Sequence, residues 1–223
     1  IFSLIITVYF IDFYKSNFFI RTKQAKVAIF TTPCRIKNLS LRLKQSLVND
    51  MKYTSYSYPS GRAEVAAFVV TGGVTEYHVM IHATDPKQTY REQMNVVLDA
   101  YAALLKKELS GAVAVFKRYF LSDAANQAEL LLAATAESSD CALSVVEQPP
   151  LDGTKIALWA YLQTDVQTRV LPNGLYEVKH GAYRQLWMGG SFNRAANSEY
   201  QMRLLLNDYA MQLMEEGCTL ADN

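Results

Sequence analysis

Gln93-Met-Asn-Val-Val-Leu-Asp-Ala-Tyr-Ala-Ala-Leu-Leu105 is met again 108 residues later as Gln201-Met-Arg-Leu-Leu-Leu-Asn-Asp-Tyr-Ala-Met-Gln-Leu213. Gln, Met, Leu98/Leu206, Tyr101/Tyr209, Ala102/Ala210 and Leu105/Leu213 coincide without a gap. In the first copy Met94, Val97, Leu98, Tyr101, Leu104 and Leu105 recur at helical spacing, which gives one broad apolar face. Thr89-Tyr-Arg-Glu92 stands just before it with the spacing of a capping box, and Gly111 closes it. The echo predicts a repeated module. The first copy is expected over 51–165, and 166–223 is expected to be the N-terminal half of a second copy in which the chain stops.

Working outward, Tyr53 to Gly61 is rich in Tyr and Ser and ends in Pro-Ser-Gly, which reads as an extended lead-in and a turn. Glu64–Val70 and Glu76–His82 flank Thr71-Gly72-Gly73 and read as a β-hairpin. Behind the helix, Ala112–Phe120 is the strongest strand pattern. Ser122 or Asp123 can cap a second helix running to about Glu137. Asp140–Val146 and Thr154–Leu162 are two further strands, joined through Pro149-Pro150, which lack backbone donors and belong in the connection. The expected order is β-β-α-β-α-β-β, an α+β module with both helices on one face of a mixed sheet.

Composition narrows the function classes. The formal charge is +1, but residues 1–50 hold +6 and the remainder −5. A mildly acidic body gives no electrostatic reason to expect nucleic acid. Cys34, Cys141 and Cys218 are odd in number and far apart, so neither a disulfide framework nor a structural zinc site is expected, and a reducing cytoplasm fits. His78, His82 and His180 have no regular metal-ligand spacing. Gly72-Gly73 and Gly189-Gly190 read as turn glycines, not phosphate cradles. No metal or cofactor is expected.

The first fifty residues form an extension outside the module. Ile1–Ile11 is apolar but is interrupted by Asp12 and Lys15, short of the roughly 20 residues of a membrane-spanning helix. The stretch holds no Gly and no Met, and Met51 is the first methionine. Two readings stand: sequence outside the natural coding region, or a membrane anchor or basic arm lying on an anionic surface. A membrane partner is expected only if residues 1–20 are native.

Several motifs resemble the Rid/YjgF family, the reactive-intermediate deaminases also labelled endoribonuclease L-PSP, and its tandem chorismatase-like branch. They are Phe116-Lys-Arg-Tyr-Phe-Leu-Ser-Asp123, Leu143–Ile156 with its Pro turn, Leu186-Trp-Met-Gly-Gly190, and Gln201–Asn223 ending in Glu-Gly-Cys-Thr-Leu-Ala-Asp-Asn. The resemblance covers roughly residues 60–223. It implies a chorismate-mutase-like fold, trimeric or pseudo-trimeric packing of modules, and a small carboxylated metabolite bound at an inter-module or inter-subunit pocket. It also implies an Arg before the penultimate strand to hold the carboxylate and a Glu in the last strand to activate water for imine hydrolysis. Cys141 stands at the Arg position, and Lys155-Ile-Ala-Leu-Trp-Ala-Tyr-Leu162 contains no carboxylate. The first module is therefore expected to be an inactive scaffold. A non-catalytic binding or oligomerisation module is the alternative, and a usual imine deaminase a further one. Ribonuclease activity is disfavoured by the acidic body.

Three residues are candidates for a site. Cys141, at the family's arginine position, could act as a catalytic thiolate or a ligand contact, or be a small buried hydrophobe. Arg118 could face an anionic ligand at a module seam or be a solvated charge. Since Lys117 precedes it, one of the two must point away from the core. Tyr183, in Gly-Ala-Tyr-Arg-Gln, could line a pocket. The helix at Gln201 carries Met202, Leu205, Leu206, Tyr209 and Leu213, a face that must cover the first module, meet another chain or stay bare; self-association is expected.

Overall fold

The structure is a computed structural model that describes residues 50–69, 73–136, 141–181, 183–194 and 197–222. The expectations for the N-terminal extension lie outside the described residues apart from Asp50, and those for Thr71-Gly72 do so too. The described residues belong to one compact unit.

The chain runs through β1 (Asp50–Tyr58), β2 (Gly61–Val69), β3 (Thr75–Ala83), α1 (Tyr90–Lys107), β4 (Val113–Leu121), α2 (Ala124–Thr135), β5 (Ala142–Glu147) and β6 (Ile156–Gln163). These strands form one mixed sheet in the order β1-β2-β3-β6-β4-β5. Only the β4–β5 pair is parallel; the rest are antiparallel. The class is α+β. The order gains one strand over the sequence reading, because the Tyr/Ser lead-in is itself β1, paired residue by residue with β2. Pro59-Ser60 closes that hairpin, with Ser60 at φ 58°. Its few apolar residues hid the strand: it lies at the sheet edge and is mostly exposed, with no buried face to impose alternation.

A second sheet follows, β7 (Gln167–Val170), β8 (Tyr176–His180) and β9 (Tyr183–Trp187), an antiparallel meander leading to α3 (Ser198–Glu215). Here the 108-residue interval acquires structural content. Both α1 and α3 are 18 residues long. Thr89 and Asn197 are their N-caps, Glu108 and Glu216 their C-caps, each pair 108 apart. Strands β3 and β9 begin at Thr75 and Tyr183, again 108 apart.

Four layers result. Helices α1 and α2 share one core with the sheet, in which Met94, Val97, Tyr101, Leu104 and Leu131 meet Val65, Val79, Ile81, Tyr119, Leu121, Ile156, Leu158 and Leu162. Both helices therefore lie on one face, as expected. The other face meets the second sheet through Phe116, Ala142 and Tyr161 against Val178, with Tyr176 and Trp187 beside them. On the far side of the second sheet, α3 packs Tyr209 and Leu213 against Leu171, Leu175 and Leu186.

The caps explain why the helices start where they do. Thr89 Oγ1 accepts from the Glu92 N–H while the Glu92 carboxylate accepts from the Thr89 N–H, the predicted capping box. Asp123, not Ser122, caps α2 through the Asn126 N–H, and exposed Glu147 accepts from the Ala124 N–H in support. Gln93 is fully buried and ties three backbone groups together: its amide donates to the Asp85 and Gln88 carbonyls and its oxygen accepts from the Lys155 N–H. It fastens the entrance of α1 to the entrance of β6.

Candidate functional site

Strand pairing sets up rows of side chains across the face of the six-stranded sheet that lies away from α1 and α2. One row is Tyr53, Ala66, His78, Tyr161, Phe116 and Ala142; the next is Ser55, Glu64, Met80, Trp159, Arg118 and Ser144. A third holds Arg62, His82, Ala157, Phe120 and Val146. Side chains two apart on a strand share a face, so Trp159 and Tyr161 of β6 come to neighbouring rows.

The first row is where the second sheet lands. Trp187 of β9 stands 5.9 Å from the Phe116 ring and 5.7 Å from that of Tyr161. His78 stacks on Tyr161 at 5.0 Å and, with its plane nearly parallel, on Trp159 at 5.9 Å. Desolvation by these rings lowers the His78 pKa from its ordinary value although the side chain keeps an exposed edge, with nearby Glu76 opposing the shift.

Arg118 sits in the second row. Its guanidinium carbon lies 5.3 Å from the Phe116 ring centre and 5.9 Å from that of Trp159, a cation on two aromatic faces. Its Nε is buried and makes no hydrogen bond, and burial lowers its pKa from the ordinary guanidinium value. A guanidinium offers five N–H donors in a planar fork suited to a carboxylate. Met80, Trp159, Ser144, Phe120 and Val146 around it are part-exposed. The neighbouring Lys117 points to the helix side, 7% exposed, with its Nζ 5.2 Å from the Tyr101 ring centre. One of the two cations does leave the helix-side core, and it is Arg118, but not into open solvent.

The other candidates go elsewhere. Cys141 precedes β5 and is 2% exposed. It lies beside Tyr119 of the helix-side core, and burial first, then Cys141, raises the pKa of that phenol. Cys141 and Arg118 are thus on opposite faces of the sheet. Tyr183 begins β9 opposite His180, four residues from Trp187, or about 13 Å at strand rise. The structure does not bring Cys141 and Arg118 together. Strand β6, Ile156–Gln163, carries no carboxylate.

The sequence reading missed a charge cluster on the second sheet. Glu177 is 1% exposed yet ion-paired with Arg169, Lys179 and Arg184. Burial alone would raise its pKa, but hydrogen bonds from Arg169 and Arg184 outweigh that and hold it below the ordinary value. Arg184 continues to the Glu216 carboxylate and carbonyl, tying β9 to the end of α3. This cluster is saturated and holds structure together. A shallow hollow bounded by Pro172, Asn173, Gln212, Glu215 and Glu216 lies beside it. Two carboxylates on its wall make it a poor receptor for an anion.

Among the described residues no group of His, Cys, Asp or Glu side chains could hold a metal ion, and no helix is long and apolar enough to cross a membrane. No family model, curated protein or solved structure matches the chain.

Proposed function

We propose that this chain is a tandem Rid-like protein whose first module is a scaffold that binds a small carboxylated metabolite through Arg118 without turning it over. The observation that carries the reading is the buried, unpartnered Nε of Arg118, set among Phe116, Trp159 and other part-exposed apolar side chains. Burying part of a guanidinium with no partner for its Nε–H is costly, and the cost is recovered when a carboxylate takes that donor. Trp159 and Phe116 supply apolar walls for the rest of a small organic acid, and Ser144, across from Arg118 on β5, adds a hydroxyl at the rim. Support for the Rid-like part comes from the motifs quoted above, the mixed sheet with both helices on one face, and the 108-residue spacing of caps, helices and strands.

The same positions argue against imine hydrolysis by this module. At the place of the family's arginine stands buried Cys141, and β6 offers no carboxylate to activate water.

Both tryptophans of the chain, Trp159 and Trp187, border this face, so intrinsic fluorescence reports on it. Titration with pyruvate and with benzoate should give a saturable change. Arg118→Ala should weaken binding by roughly 10- to 100-fold, the worth of a charged hydrogen-bonded pair. An assay with an imine generated from an amino acid should show no turnover above buffer. Binding indifferent to Arg118→Ala would overturn the binding reading, and turnover abolished by Cys141→Ala would overturn the scaffold reading.

A further inference from the structure

The two sheets have four edges, and three are short or covered. Strand β7 has four residues and β9 five. The β5 edge is blocked by the chain at Gly189, packed so closely that a Cβ there would fall 2.5 Å from the Leu143 nitrogen and 2.8 Å from its oxygen. Strand β1 is different. It has nine residues, no proline and no break in register against β2, and Met51–Ser55 and Ser57 are exposed. Met51 is 54% and Tyr53 75% exposed. Natural sheets blunt long edges because unpaired N–H and C=O groups template further pairing; here Lys52 is the one cation along the strand, and no proline, bulge or covering segment among the described residues blunts the edge.

The direction of the free backbone groups follows from the register. The Thr84 N–H donates to the Ser60 carbonyl at 2.8 Å, so even-numbered residues of β2 bond to β3 and odd-numbered ones to β1. The partners of the odd-numbered residues are Asp50, Lys52, Thr54, Tyr56 and Tyr58. Met51, Tyr53, Ser55 and Ser57 therefore turn their N–H and C=O groups outward. A second β1 laid antiparallel about a two-fold axis at Thr54 sets Tyr53 opposite Ser55 and Met51 opposite Ser57, so each outward group meets an outward group. Lys52 then faces Tyr56, and Asp50 faces Tyr58. No like charges are opposed, the two Lys52 side chains gain aromatic partners, and the two Tyr53 rings come to diagonal positions.

The geometry points to β1 as the interface with a second copy of this chain, in a two-fold dimer whose β1 strands pair antiparallel about Thr54 and join the two six-stranded sheets into one. This pairing is isologous, as a closed dimer requires, and it is independent of the carboxylate reading.

The test is sedimentation of the full chain over a concentration series, together with cross-linking. The chain should sediment as a dimer. Ser55→Pro removes an outward N–H without touching the β1–β2 ladder, so it should give a monomer with an unchanged circular dichroism spectrum. In a Cys34→Ser background, Thr54→Cys should form a covalent dimer under mild oxidation, since the residues on the axis form a close non-hydrogen-bonded pair within disulfide reach. Ser57→Cys, which meets Met51 instead, should not. A monomer at all concentrations, or a dimer that survives Ser55→Pro while Thr54→Cys fails to cross-link, would overturn the proposal.

Discussion

Lys117 and Arg118 are adjacent in sequence and opposite in circumstance. Lys117 enters the closed face of the six-stranded sheet, under α1 and α2, over the Tyr101 ring. Arg118 enters the face only partly covered by the second sheet, and its Nε has no partner. The closed face is built for stability: Gln93, fully buried there, holds three backbone segments together. The other face keeps a donor in reserve. A buried group left unsatisfied is expensive, and on the proposed reading this one is kept for binding.

The largest effects should fall on the closed face. Leu104 is fully buried beneath α1, and Leu104→Ala should cost about 2–5 kcal/mol in urea unfolding. The repeat supplies an internal control: Met94→Ala, at a side chain 3% exposed, should cost about 2–5 kcal/mol, whereas Met202→Ala, 108 residues on and 58% exposed, should stay within about 0.5 kcal/mol. Equal losses at the two methionines would mean that α3 is as fully covered as α1.

A buried charge with its partners sharpens the contrast with Arg118. Glu177→Gln should cost about 3 kcal/mol, because Arg169, Lys179 and Arg184 lose their counter-charge. The pH dependence follows from the sign of the shift. The folded pKa of Glu177 is depressed, so its stabilisation is fully present above the unfolded value of about 4.3 and is lost as pH falls through the folded pKa. Thermal melts below about pH 5 should fall more steeply for the unmodified chain than for Glu177→Gln; parallel curves would remove Glu177 from the acid response.

Gln93→Ala strands the Lys155 N–H and two carbonyls and should cost about 2–3 kcal/mol. Gln201→Ala, at the half-buried repeat position, should cost less than about 1 kcal/mol. The caps contribute modestly: Thr89→Ala and Asn197→Ala should each lower stability by about 1 kcal/mol. A cap mutant indistinguishable from the parent by urea unfolding would move that helix start.

The elements legible in the sequence were those with a buried stripe. Met94, Val97, Tyr101 and Leu104 betrayed α1 by their spacing, and Thr89 and Glu92 its first turn, because both signals are local. Strand β1 reads as a lead-in in the sequence because Tyr, Ser and Thr at a sheet edge have no buried face to impose alternation. The echo at Gln201 places a helix inside α3, Ser198–Glu215, yet its spacing does not tell how much of that helix is covered, since coverage depends on the number of strands beneath it. Arg118 was legible as a candidate only through its neighbour: two successive cations in an apolar strand must take opposite faces. The ring cluster of His78, Trp159, Tyr161 and Trp187 comes from strands far apart in the chain, and the ion pairs of Glu177 join two more strands. Both depend on register, which residue types alone do not fix.

The contrast between the two faces rests on Arg118 being a binding group kept at some expense to the fold, and one substitution read twice tests that directly. Arg118→Met keeps the side-chain length and removes the unpartnered cation. Urea unfolding should show the variant as stable as the parent or more so, since it removes a part-buried guanidinium whose Nε–H has no partner, while calorimetric titration with benzoate should show binding lost. A variant that is clearly destabilised and still binds benzoate as the parent does would contradict both halves of the claim at once.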